Sequence, residues 1–230
     1  EPETARRCIT SKERLVEARK EIEKFINKNY LRPRQAPIGQ NPVLKAWMEL
    51  NSQDPEAVSA LAVSRAQLTA GRRLTSLRRL RCIELKGTGG DAARVGDSLH
   101  RSTQFYNPHK ERCSLRYAES DPAPVPADGA AVLVTERGAE RLSAAERWWR
   151  HETGEIIEVR QGVVWVMTFE AGGNPLEAAD ELALLRDRRH GLLCNPHSQE
   201  YRVSGARVPV PWIDARQIDN TLLGNENPEV

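Results

Sequence analysis

The chain has 230 residues, 39% of them hydrophobic and 29% charged, with a formal net charge of +2. That length suits one large or two small domains with a real core, and the balance excludes a disordered or fibrous chain. No run approaches the roughly 20 apolar residues that cross a bilayer, and "EPETARRCITSKERL" shows no apolar leader, so a cytoplasmic protein without membrane insertion is expected.

Four widely spaced cysteines, Cys8, Cys82, Cys113 and Cys194, form no CxxC and no Cys/His pair. Such scattered thiols fit a reducing compartment, and neither a metal centre nor a cofactor is expected. The charge is uneven: residues 1–118 hold 23 Lys+Arg against 13 Asp+Glu, and the remainder 11 against 19. This asymmetry points to an anionic partner for the first half, or to halves that attract each other or a neighbouring subunit.

In chain order, Thr10 and Glu13 form a capping-box pattern, and Leu15, Ala18, Ile22 and Phe25 line one face of a helix over 10–29. Three prolines and a glycine make 31–42 an extended connector. Asn41-Pro42 and Asp54-Pro55 each read as a cap followed by proline at the first helical position, which predicts two short helices. The first has Val43, Leu44, Trp47 and Met48 on its apolar face; the second has Val58, Leu61, Ala62 and Leu68 and closes at Gly71. Residues 1–73 therefore read as a helical extension or tether.

From Leu80 the pattern alternates. Strands are expected at 80–87, 111–117, 130–136, 154–160, 162–170 and 199–203, and helices at 91–103, 143–152 (capped by Ser143) and 174–190. A proline-rich loop spans 119–129, and Arg160-Gln161-Gly162 reads as a tight hairpin. The fold class is α+β: a ferredoxin-like βαββαβ core over 130–205, an additional βαβ half-unit at 74–118, the helical extension at 1–73, and an extended C-terminal arm at 206–230.

The triplet Asn-Pro-His occurs twice, at Asn107-Pro108-His109 and Asn195-Pro196-His197. Histidine titrates near neutrality, so an enzyme with a site near His109 and His197 is one reading. Asparagine accepts the left-handed cap that ends a helix and proline blocks its continuation, so a structural joint between helix and strand accounts for the triplet more simply. No nucleophile–base pair, HExxH or paired-carboxylate signature appears, and no catalytic residue is assigned.

Arg72, Arg73, Arg78, Arg79 and Arg81 lie within ten residues and could grip phosphates, which makes a nucleic-acid-binding ferredoxin-like protein the second reading. Leucines alternate with them and no RNP-like aromatics accompany them, so a solvated helix face or strand edge is the plainer alternative. Gly87, Gly89 and Gly90 precede a helix without the Lys-Ser/Thr of a P-loop, and a turn capped by Asp91 is the simpler reading. Trp148 and Trp149 cannot share one helix face, so an interface is expected there, and Trp212 is expected on an arm lying against a partner.

The opening strand "VLVTERGAE", the run "EIIEVRQGVVWVMTFE" and the ending "LLCNPHSQEYRV" resemble the small PurS-type subunit of formylglycinamidine ribonucleotide synthase. Leu193, Asn195, Pro196 and Tyr201 carry the specific part of that resemblance, which covers residues 130–205. It implies a ferredoxin-like, non-catalytic subunit of purine biosynthesis that dimerises and bridges synthetase and glutaminase subunits. The helical extension and the extra half-unit depart from that family. The leading expectation is a non-catalytic scaffold in a homo- or hetero-oligomeric assembly with other protein subunits.

Overall fold

A computed structural model describes residues 43–89, 92–138 and 141–213. The helix expected at 10–29, the connector at 31–42, Cys8, Gly90, Asp91 and the arm beyond Ile213 lie outside the described residues. Within them the protein is α+β, with six strands and four helices. The order is β1 (Val43–Leu50), α1 (Pro55–Gln67), β2 (Leu74–Lys86), α2 (Ala92–His100), β3 (Glu111–Arg116), β4 (Ala130–Glu136), α3 (Ser143–Thr153), β5 (Glu158–Phe169), α4 (Pro175–Ala183) and β6 (Gln199–Ser204). A short 3-10 turn, Ala70–Arg73, joins α1 to β2.

The six strands form one sheet in the order β3-β1-β2-β5-β4-β6, and every neighbouring pair is antiparallel. The chain is therefore a complete βαβαβ unit used twice. In each unit the first strand sits between the second and the third, and the two units join through their second strands, β2 and β5. One row of residues crosses the whole sheet: Cys113, Met48, Arg81, Val163, Val134, Tyr201. Cys113 stands six residues after Asn107 and Tyr201 six after Asn195, so this row is symmetric about its centre, between Arg81 and Val163.

This corrects several expectations. Residues 43–50 are a strand, not a helix. Leu44, Ala46 and Met48 face the helices while Lys45 and Trp47 are buried on the other face, so apolar residues crowd together and mimic a helical stripe. Residues 43–73 thus supply the first strand and helix of the first unit rather than a tether, and the half-unit at 74–118 is the rest of a whole one.

The hairpin at Arg160–Gly162 is absent: β5 runs unbroken through it. Gly162 is there because Leu133 comes so close; a Cβ would meet the Leu133 Cδ1 at 2.6 Å. With one strand where two were expected, residues 130–204 run βαβαβ. Other helices end earlier than expected, α1 at Gln67 rather than Gly71 and α4 at Ala183 rather than His190. Leu142, not Ser143, occupies the N-cap of α3.

Two apolar clusters sit under the helices. Ala57, Leu68, Ala179 and Leu182 pack with Leu77, Val132 and Met167, and Val95, Leu99, Ala145 and Trp149 pack with Leu44, Met48, Ile83 and Val159. Each cluster takes one helix from each unit (α1 with α4, α2 with α3), so the two units share both cores. Apolar burial at about 25 cal/mol per Å² thus acts across the two units, beside polar contacts such as the Arg94–Glu155 ion pair. The ion pairs Arg78–Glu49, Arg79–Asp54, Arg81–Glu111 and Arg112–Glu49 all lie inside the first unit.

The opposite face is covered by the C-terminal segment. Val208, Trp212 and Ile213 are buried against Trp47, Leu80, Cys82, Leu133 and Val164. Up to Ile213 the arm therefore lies on its own sheet, which corrects its reading as a partner-bound extension, and Trp212 is core.

Candidate interaction surface

Both Asn-Pro-His triplets have the same geometry. The Asn107 Oδ1 accepts from the His109 N–H at 3.0 Å, and the Asn195 Oδ1 from the His197 N–H at 3.0 Å. Four residues after each asparagine, a side-chain oxygen of Glu111 or Gln199 accepts that asparagine's own N–H, at 2.8 Å in both cases. These are Asx turns that open the last strand of each unit. They are joints, as expected, but not helix caps: α2 ends at His100 and α4 at Ala183, well before either triplet. His109 and His197 are exposed, at the starts of β3 and β6, the two outermost strands. Five strand spacings of about 4.8 Å separate those edges, so the histidines do not share a site.

The arginine cluster is scattered by the alternation of β2. Arg78 points to the face opposite the helices, where it meets Glu49 at 3.2 Å and the Pro124 carbonyl at 2.6 Å. Arg79 and Arg81 point to the helix side. Arg79 pairs with Glu56 at 2.9 Å and Asp54 at 3.4 Å and lies over the Trp165 ring at 5.9 Å. Arg81 clasps Glu111 and donates to the Phe105 carbonyl at 2.7 Å. Arg73 is held by the carbonyls of Glu170 and Gly172. Of the five, Arg72 alone is exposed with no hydrogen bond or ion pair among the described residues.

The Gly-rich turn faces the protein's own acid. The Glu155 carboxylate meets Arg94, whose guanidinium also donates to the Gly89 carbonyl, and accepts from the Trp149 Nε1 at 3.1 Å. Trp149 is buried, and Trp148 is half-buried with Phe105 edge-on to both indoles at 5.7 and 5.9 Å. That aromatic cluster packs against the core, and of its two tryptophans only Trp148 keeps partial exposure.

The helix pairs leave the centre of the sheet open between them. A cleft of about 330 Å³ lies over it, bordered by Arg79, Arg81, Gln161, Trp165, Glu136 and Gln199. It shares Glu56, Trp165 and Leu193 with a shallower groove of about 460 Å³ along α1, whose other walls are Pro55, Ser59, Ala60, Val63 and Leu192. Together they make a trough with a polar half and an apolar half.

Helix α1 is an unusual wall. Asp54 caps it, accepting from the Glu56 N–H at 2.9 Å, and Pro55 starts it, as the sequence predicts. Its sequence, PEAVSALAVSRAQ, mixes small and apolar residues with Glu56, Ser59, Ser64, Arg65 and Gln67 on every side, and only Ala57 and Ser64 are buried. Val58 and Val63 are 42% and 38% exposed. Val63 opens on the groove, whereas Val58, about 140° round the helix, borders a separate depression with Glu49, Leu50 and Leu77. The leucines 192 and 193 facing it follow Gly191, in a loop where the expected helix 174–190 had been extended too far.

Among the described residues, the thiols offer no ready nucleophile. Burial raises the Cys82 and Cys194 thiols above their ordinary value, and Cys113, desolvated beside Glu111, is pushed up to about 11. Among the described residues no group of three or more His, Cys, Asp and Glu side chains is placed to hold a metal ion, and no helix is long and apolar enough to cross a membrane. The chain matches no protein-family model, no curated protein and no solved structure.

Proposed function

We propose that the protein is a non-catalytic binding subunit that docks a partner chain along α1 and Leu192-Leu193. The observation that carries this reading is Val63, 38% exposed on α1 in a groove it shares with Ala60, Leu192 and Leu193. The PurS-like role, a bridge between the catalytic subunits of a purine-biosynthesis assembly, is its sharpest form. Leu193, one of the residues behind that resemblance, lines the groove, and Asn195 and Pro196 form the turn after it. A ferredoxin-like kinship of residues 130–205 is supported by their layering, with α3 and α4 packed on an antiparallel sheet. Nucleic-acid binding through Arg72–Arg81 ranks second, because four of those five side chains are engaged within the fold.

The test is native mass spectrometry of the protein purified from its source, beside the doubly substituted V63E/L192E chain. A stoichiometric complex that the double substitution dissociates, with the circular dichroism and Tm retained, is the expected result. A lone monomer in both preparations overturns the reading.

A further inference from the structure

We infer that the partner presents an acidic segment bearing paired aliphatic side chains, with Arg72, Arg188 and Arg189 meeting its carboxylates; this rests on the docking reading above and adds the ligand's charge. The chain leaving α1 and the chain entering Leu192 meet where the Thr69 N–H reaches the Arg189 carbonyl at 3.4 Å. That junction stands six residues after Val63 and three before Leu192, both of which line the groove. It carries three exposed guanidinium groups, those of Arg72, Arg188 and Arg189, none with a hydrogen bond or ion pair among the described residues.

Several other arginines beside the groove and along β2 are engaged within the fold. Arg65 donates to the carbonyls of Leu74 and Thr75, and Arg73, Arg79 and Arg81 are engaged as described above. The nearest acids are themselves engaged. Asp187 accepts from the backbone N–H groups of Arg189 and His190 and from the His190 ring, which hold its carboxyl below the ordinary aspartate range. Glu56 pairs with Arg79, and Asp180 accepts from the Tyr201 hydroxyl at 2.9 Å. The charge left unspent at this end of the groove is positive, and the wall beside it is aliphatic.

A peptide fits this pairing better than a nucleic acid. Single strands bind on exposed aromatic platforms, whereas the one ring on the groove, Trp165, is 9% exposed and already covered by Arg79. An amphipathic helix with leucines on one face and glutamates at its flank offers the complementary chemistry.

The full chain is titrated with three labelled helical peptides that share a leucine face and carry Glu, Gln or Lys at the flanks. The Glu peptide is expected to bind about tenfold more tightly than the Gln peptide, as three exposed ion pairs give. The Lys peptide should bind more weakly than both. The advantage should shrink between about 50 mM and about 500 mM salt. R72E/R188E/R189E should erase it and leave the affinity for the Gln peptide unchanged, while V63E weakens both. Equal binding of the Glu and Gln peptides overturns the inference and leaves the docking reading standing. Failure of the Glu peptide to bind, or displacement of it by a uridine oligonucleotide that the triple substitution abolishes, overturns it as well.

Discussion

Arg81 and Val163 face each other across the β2–β5 pairing, and each holds the same place in its own half of the chain. Met48 lies beside Arg81 and Val134 beside Val163; Cys113 and Tyr201 complete the row. The repeated triplet marks this two-fold arrangement in the sequence, because its turn demands particular residues while the strands around it do not. The two members of the central pair differ. Arg81 crosses to Glu111 and so ties the middle of the sheet to the first turn, whereas Val163 has no such reach.

The turns are expected to matter through asparagine. Asn107→Ala or Asn195→Ala removes an acceptor from a histidine N–H and should cost about 1 kcal/mol each. His109→Gln and His197→Gln, at exposed positions, should stay within about 0.5 kcal/mol of the parent. Urea unfolding of the four variants measures both, and a histidine effect larger than the asparagine effect would contradict the joint.

Beneath the C-terminal segment, three charged side chains are almost fully buried: Lys45, Glu84 and Arg116. Glu84 meets the Lys45 Nζ at 3.0 Å and accepts from the Trp212 and Ile213 N–H groups at 2.6 and 3.0 Å. Lys45 also donates to the Pro209 carbonyl and lies over both the Trp47 and Trp212 rings. Arg116 donates to the carbonyls of Val208, Glu119 and Asp121. Burial lowers the Lys45 pKa despite the carboxylate beside it. Glu84→Ala strands a buried cation and should cost about 3–5 kcal/mol, and the pair Lys45→Met with Glu84→Ala should cost less than the two single changes added. Additive losses in a double-mutant cycle would mean that the two groups act separately.

Acid should loosen the contact between α3 and the start of β5. Burial tends to raise the Glu146 pKa, but the hydrogen bonds from Arg141 and from the Val159 N–H, with the Arg141 charge, bring it below the ordinary 4.5. A carboxyl depressed in the folded state contributes stability that is present above its unfolded pKa and lost as pH falls through the folded one. Glu146→Gln should therefore be destabilised by about 1–2 kcal/mol at pH 7, and the gap should close below pH ~4.5. A gap that stays constant from pH 7 to pH 3 would rule out the charged contact.

Alkylation reports on the thiols. Native Cys82 should resist iodoacetamide at pH 8, being fully buried with its thiolate disfavoured. Cys113 should react slowly, with a rate that climbs toward pH 11, where its thiol titrates. Peptide mapping by mass spectrometry separates the sites; rapid labelling of Cys82 under native conditions would refute its placement.

Strands rich in β-branched residues were legible, β4 included although both its faces are buried, as were the proline-started helices α1 and α4, because a cap and an N1 proline are local chemistry. What misled at β1 was an Asn-Pro start joined to burial on both faces. β1 has apolar residues on both sides plus a buried lysine, so its period-2 signal is lost in a run that looks helical. The glycine in β5 resembled a turn because the reason for it, the approach of Leu133, is tertiary. The Asx turns were half legible: the asparagines were recognised as joints, but the fifth residue, Glu111 or Gln199, was missed although the spacing repeats. The groove was not legible at all, since it joins α1 to Leu192-Leu193 across more than half the chain, and α1 was read for what it buries rather than for what it leaves out.

The order of synthesis gives the shared sheet a further meaning. When β2 leaves the ribosome, the strand that will cover its free edge is still 72 residues away, from Lys86 to Glu158. The first unit must wait with a long edge of leucines and arginines uncovered, and its buried lysine, glutamate and arginine stay wet until Val208–Ile213 arrive. Long-range pairing of this sort is slow and exposes the nascent chain to wrong partners. The molecule thus finishes its beginning last: a ribosome stalled short of Ile213 would hold not half a folded protein but an open template for association.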